Sequence, residues 1–274
     1  LNAAAESDSA NSNGMSVYVA DSATASTFGP VLAAFFAYAL GDNQKAYLTQ
    51  SGRHDSVGPG GDSRVVSGRR ANIAAITSLA FVPEVGTNFM TNSAMWLYGR
   101  PRANVVAEKT LTADQASIVF DKIPQGYRYR SISIVVYART DRAANDEDGI
   151  VVAFNGDEVD ANYDRQILLG RIATVTAARS AADRTWIDCA GDGAAANVFG
   201  GGVLTINYYA SSVGHKHATV LSGVSDIGGV GQLDSVLLTS DRWENTAPIR
   251  SIKLTPANGT VFKSGSRFTL LGTK

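Results

Sequence analysis

The chain has 274 residues, with 24 Lys plus Arg against 25 Asp plus Glu, for a formal charge of −1 at pH 7. That balance gives no electrostatic reason to grip a nucleic-acid backbone, which needs a basic face, and 45% hydrophobic residues is too many for a disordered chain. No run of about 18 apolar residues occurs, so no transmembrane helix and no membrane partner are expected, and the single cysteine, Cys189, permits no internal disulfide.

In chain order, Leu1 to Met15 is rich in Ala, Ser, Asn and Asp. It has neither the basic start nor the apolar run of a signal peptide. Val31 to Leu40 has a composition that allows a helix, but its match to Val203 to Tyr209 favours a strand. Leu79 and Phe81, then Met95 and Leu97, alternate as two short strands separated by Pro83, Gly86 and Phe89. Thr112-Ala113-Asp114-Gln115 fits a helix-capping pattern, although no amphipathic run follows it. Ile118 to Phe120 is a short strand. Ser131 to Arg139 alternates as a half-buried strand should. Ala143 to Gly149 reads as a polar loop. Ile150 to Asn155 is a strand closed by the Asn155-Gly156-Asp157 turn. Gln166 to Leu169 is a further strand, and Ala-rich Ile172 to Asp183 reads as a short helix. Thr185 to Cys189, Gly202 to Tyr209, His217 to Ser222 and Val236 to Thr239 follow as strands. Ile252 with Leu254, then Phe268 with Leu270, close the chain. Roughly nine short strands between turn signals point to an all-β sandwich.

One self-similarity organises the whole chain. Ser67 to Gly99 aligns without gaps on Ser240 to Gly272, an offset of 240 − 67 = 173. Identical pairs include Arg69/Arg242, Asn72/Asn245, Ala74/Ala247, Ile76/Ile249, Pro83/Pro256, Gly86/Gly259, Phe89/Phe262, Leu97/Leu270 and Gly99/Gly272. Further upstream, Phe28-Gly29 resembles Phe199-Gly200, and Gly52 and Asp55 resemble Gly223 and Asp226. Two related sandwich domains in tandem are therefore expected: a partial copy over 1–100 and a complete copy over 101–274. The first has no counterpart of Ser117 to Asp157. Its opening strands lie upstream, have been removed, or come from another chain. An open sheet edge would then need cover, from Leu1 to Asn13 or from a neighbour.

Three stretches of the second copy carry a family resemblance. They are Ile118-Val-Phe-Asp-Lys-Ile-Pro-Gln-Gly-Tyr127, Ser131-Ile-Ser-Ile-Val-Val-Tyr-Ala-Arg-Thr-Asp-Arg142 and Phe154-Asn-Gly-Asp157. With Phe199, Trp243 and the terminal Pro256…Gly259…Phe262…Ser266-Arg-Phe-Thr-Leu-Leu-Gly272, they resemble a group of tailed-bacteriophage virion proteins, loosely described as structural, tail or head-fibre proteins. The resemblance implies jelly-roll-like β-sandwich domains in a non-enzymatic virion structural protein, a head-decoration, fibre or tail-appendage component. It also implies a homo-oligomer, a trimer first, bound to other virion proteins in the virion after assembly in the bacterial cytoplasm. A receptor- or glycan-binding adhesin on the same fold is the alternative.

Candidate chemistry is sparse. His215 and His217 form a His-x-His pair able to chelate a metal from one strand face, with only His54 as a third histidine. Asp146-Glu147-Asp148-Gly149, with Asp157, Glu158 and Asp160, offers oxygens for calcium but not at EF-hand spacing; a solvated loop is the expectation. Gly58-Pro59-Gly60-Gly61 and Gly228-Gly229-Val230-Gly231 lack the Gly-Lys-Ser/Thr that grips phosphate. No Gly-x-Ser-x-Gly elbow occurs, and Cys189 has no histidine near it in sequence. Tyr127, Tyr129, Tyr137, Tyr163, Tyr208 and Tyr209 could stack on a glycan, though most are expected in the core or at an interface. The sequence thus assigns no catalytic residue, no metal ligand, no cofactor and no specific binding residue.

Overall fold

The structure, a computed structural model, describes residues 30–54, 61–82, 87–89, 91, 93–99, 104–126, 128–171, 174–225 and 234–274. The chain is all-β. No α-helix occurs among the described residues, and none there is long and apolar enough to cross a membrane. Three antiparallel sheets form. The first has the order β1 (Val31–Phe35), β2 (Lys45–His54), β3 (Gly61–Arg70). The second runs β10 (Thr185–Ala190), β7 (Glu147–Phe154), β14 (Ile252–Pro256), β5 (Ile118–Phe120). The third runs β4 (Val105–Thr110), β15 (Arg267–Thr273), β6 (Ser131–Ala138), β11 (Gly200–Asn207), β12 (Lys216–Val224), β13 (Ser235–Trp243), β8 (Tyr163–Arg171), β9 (Thr174–Ala181).

The four- and eight-stranded sheets close on one core. Ile118, Phe120, Ile150, Val152, Ile187, Ile252 and Leu254 come from the smaller sheet. Ile132, Ile134, Val136, Leu204, Ile206, Val220, Phe268 and Leu270 come from the larger. These positions alternate along their strands, so each strand turns one apolar row inward. Each such side chain, fully buried, contributes roughly 1.5–3 kcal/mol. One end of the core is aromatic: Phe154 and Trp243 lie with centroids 5.7 Å apart, and Tyr163 stacks 6.4 Å from Trp243. Phe262, between the closing strands, meets Phe268 edge-on at 5.0 Å.

The three-stranded sheet packs on the back of the larger one. Phe36, Ala46 and Leu48 join Tyr137 and Phe199 in a second cluster, flanked by Ala34, Val135, Val203, Leu221 and Val236. The approach is close enough to require glycine: a Cβ on Gly201 would meet the Phe36 ring at 2.7 Å. Ser67 Oγ donates to the Ser235 carbonyl at 2.7 Å, and the Tyr137 hydroxyl donates to the Gln44 carbonyl.

Several sequence expectations need correction. Ile172 to Asp183 is not a helix: Thr174–Ala181 is strand β9, paired along its length with β8. Cross-strand pairing there overrides the alanine content. Thr112 to Gln115 starts no helix; Asp114 instead accepts from the Ser264 amide at 2.9 Å and pairs with Lys263. The loop over Ala143 to Gly149 is shorter than expected, because β7 already begins at Glu147. Strand β4 escaped the sequence reading. In the first copy, neither Leu79 with Phe81 nor Met95 with Leu97 forms a strand. Leu1 to Asn13, Gly58 to Gly60, Gly228 to Gly231 and Tyr127 lie outside the described residues.

Candidate functional site

The acidic loop is the first place to look for chemistry. It is buried rather than solvated: Asp146, Glu147 and Asp148 are all inaccessible. Asp148 works as an anchor for the turn that follows β14. Its Oδ2 accepts from Thr140 Oγ1 at 2.8 Å and from the Gly259 amide at 3.0 Å; its Oδ1 accepts from the Gly149 amide at 2.8 Å and from Asn258 Nδ2 at 2.9 Å. Asp141 holds the same turn through the amides of Thr260 and Val261, at 2.6 and 2.9 Å. Glu147 forms a two-pronged pair with Arg171, which raises the Arg171 pKa further.

Four further carboxylates also meet protein donors or cations. Asp188 on β10 accepts from Trp186 Nε1 at 2.8 Å and Ser235 Oγ at 3.1 Å. Burial, reinforced by the Glu147 charge, pushes its carboxyl well up. Asp157 accepts from Trp243 Nε1 at 2.8 Å and from Asn162; burial pushes it up, but these donors outweigh burial and hold it low. Glu158 pairs with Lys253 and Asp160 with Arg184. The six acidic residues weighed for calcium therefore do not converge, and five of them meet protein donors or cations. Only Asp146 keeps both carboxylate oxygens buried without a hydrogen-bond partner among the described residues. Among those residues, no three of His, Cys, Asp or Glu come together around a point that would hold a metal ion.

The other candidates are placed as follows. His215 precedes β12 and His217 lies on it, both exposed; the side chain of His54 lies outside the description. Cys189 is buried on β10, and burial, with Asp148 and Asp188 nearby, pushes its thiol up, away from nucleophilic use. Tyr129, Tyr137, Tyr163 and Tyr209 are core residues, whereas Tyr208 is 71% exposed at a positive φ of 49°.

The surface most unlike the rest of the described residues is formed by Leu79 to Val82, Phe89 and Met95 to Tyr98. Phe89 is 46% exposed, Trp96 73% and Leu97 83%, with Leu79, Phe81, Val82, Met95 and Tyr98 also exposed. Of these, Leu79, Phe81, Phe89, Met95, Leu97 and Tyr98 have core residues as repeat partners: Phe262 is fully buried and Leu270 is 1% exposed. Sequence reasoning found this stretch and its repeat but expected it to be buried as strands. Comparisons with protein-family models, curated proteins and solved structures find nothing that matches this chain.

Proposed function

We propose that this is a non-enzymatic structural protein that works by assembly, and that its setting is the virion of a tailed bacteriophage, as a head-decoration, fibre or tail-appendage component. The observation that carries the assembly reading is the exposure of the apolar residues Leu79, Phe81, Val82, Phe89 and Met95 to Tyr98. Single exposed apolar residues are ordinary; four in succession, Met95-Trp96-Leu97-Tyr98, are not. The buried carboxylates Glu147, Asp148 and Asp188 support it too, because each is held by protein donors. The virion setting rests on the motif resemblance over 105–274, and a homo-oligomer, a trimer first, goes with it. A glycan-binding reading would draw on Tyr208, the one exposed residue among the described candidate tyrosines.

The test is labelling of intact particles with an antibody against this chain, viewed by electron microscopy. Label at a fixed position on the head or tail is the expected result. Purified particles that carry no label and no trace of the chain by mass spectrometry would overturn the virion setting.

A further inference from the structure

The two repeats share more than sequence. Lys45 and Lys216 are both buried, and each donates through Nζ to the carbonyl two residues before it, Asn43 and Gly214. Each also donates 2.9 Å to a carbonyl in the loop after the third strand, Ile73 and Thr246. Lys45 sits opposite Arg70 and Lys216 opposite Trp243, which are equivalent registers. The Asn72 and Asn245 side chains accept from the amides of Ala74 and Ala247, at 2.7 and 2.8 Å. The Ile76 amide donates to Tyr38 and the Ile249 amide to Tyr209. Ala37 and Tyr208 share the same left-handed turn, with φ of 53° and 49°. Between Ala37 and Ile76 these described contacts of the first copy thus recur between Tyr208 and Ile249.

Beyond Ile76 the likeness stops, and the second copy shows why. Outside the segment itself, the backbone partners of residues 250–273 all lie between Val105 and Asn155. Ile252 pairs with Phe120 and Phe154; Phe268 pairs with Lys109 and Val136; Phe262 bridges to Gln115 and Thr140. Residues 1–99 hold no counterpart of that stretch. At an offset of 171 the sequence likeness runs back to the start, through Phe28/Phe199, Asp21/Asp192, Ala10/Ala181 and Ser9/Ser180, so that Leu1 falls opposite Ile172. The block with no counterpart in residues 1–99 is therefore β4 to β8, including all four strands that flank β14 and β15.

We infer that the segments around Leu79–Phe81 and Met95–Leu97 become the closing strands of a sandwich by docking a polypeptide stretch of the β4–β8 type lying outside residues 1–274. This deepens the assembly reading and rests on its view of the exposed stretch as a docking surface; it does not depend on the virion setting. The occupant carries antiparallel strands with alternating apolar rows, matching Ile118 and Phe120, Ile132 and Ile134, and Ile150 and Val152 in the second copy. It buries Leu79, Phe81, Phe89, Met95 and Leu97 as those strands bury Ile252, Leu254, Phe262, Phe268 and Leu270. A second copy of this chain is not a suitable occupant. Its β14 already lies between β7 and β5, and its β15 between β4 and β6, so the positions facing those rows are filled.

The test compares the 274-residue chain with one extended by a duplicate of residues 101–171 joined ahead of Leu1, by amide hydrogen exchange. In the 274-residue chain, amides 79–82 and 94–98 should exchange freely while 252–255 and 267–271 are protected. The extension should slow the first set by about 100-fold or more, as strand pairing does. Leu97→Asp in the extended chain should abolish that gain and leave the second copy's protection unchanged. A second measurement covers poor folding of the extension: Leu97→Cys with Ile134→Cys in the added stretch only, at the register of Leu270 with Ile134, should give an internal disulfide. No gain in protection together with no cross-link overturns the inference. Protection already present in the 274-residue chain also overturns it. If that protection comes from self-association, the assembly reading survives; if it occurs in a monomer, both fall.

Discussion

Replacing Asp241 with Asn should make the protein more stable, and only above about pH 4. Asp241 is buried on β13; its Oδ2 accepts from Thr239 Oγ1 at 2.6 Å, and its Oδ1 has no partner among the described residues. Burial pushes the carboxyl up to about 7; the Thr239 hydroxyl and Arg165 pull it down, and Asp183 and Asp164 push it up again. In the unfolded chain the same group titrates near 3.9. Below pH 4 both states hold the proton, and the group costs nothing. Between about pH 4 and 7 the unfolded state releases its proton while the folded state keeps it, so stability falls by about 1.4 kcal/mol per pH unit. Above pH 7 the accumulated loss is about 4 kcal/mol. Asn removes the charge and keeps an oxygen for Thr239. Asp188, pushed up by burial and Glu147, adds a slope of the same sign. Asp114, Asp141 and Asp157, held low by their donors, act oppositely: their stabilisation is lost as pH falls through their lowered values. Urea unfolding from pH 3 to 8, followed by tryptophan fluorescence, measures the difference between the variant and the parent. It should be near zero at pH 4 and grow to a few kcal/mol by pH 8. A difference that is the same at both ends, or a less stable variant at pH 8, would refute the reasoning.

Asp148→Ala strips acceptors from the amides of Gly149, Asn258 and Gly259 and should cost on the order of 3–5 kcal/mol, seen as a lower thermal midpoint than Asp141→Ala gives. Phe262→Ala should cost about 3–5 kcal/mol. Its repeat partner Phe89→Ala should change stability by no more than about 0.5 kcal/mol, and equal effects in a melting assay would contradict the exposure of Phe89. Lys216→Met leaves the Gly214 and Thr246 carbonyls without their donor and should cost about 1–3 kcal/mol; Lys45→Met should act in the same direction, as calorimetry can check.

Strands β5 and β6 were legible because their apolar residues alternate, and the repeat was legible because its offset holds over 33 positions, 67–99. The fate of the first copy's closing residues was not. Alternation at Leu79 and Phe81 specifies which side chains share a face, but a strand also needs neighbours to bond, and those are not encoded locally. The acidic loop failed for a related reason. Asp148 finds two of its donors, Asn258 and Gly259, more than a hundred residues away, in a turn that nothing near position 148 announces. Strand β9 had a local sign, the β-branched Thr174-Val175-Thr176, which the alanines after it masked. Docking of Phe36 over Gly201 depends on two sheets meeting, and nothing around residue 36 announces it.

The lone thiol of Cys189 gives the molecule an internal clock. It lies inside the sandwich on β10, and its raised pKa keeps it as the thiol. An alkylating reagent needs a thiolate that it can touch. Under native conditions the rate of labelling therefore counts how often the sandwich opens. Divided by the rate for a free cysteine at the same pH, it yields the opening free energy of the second copy in the unmodified chain, whatever becomes of the first.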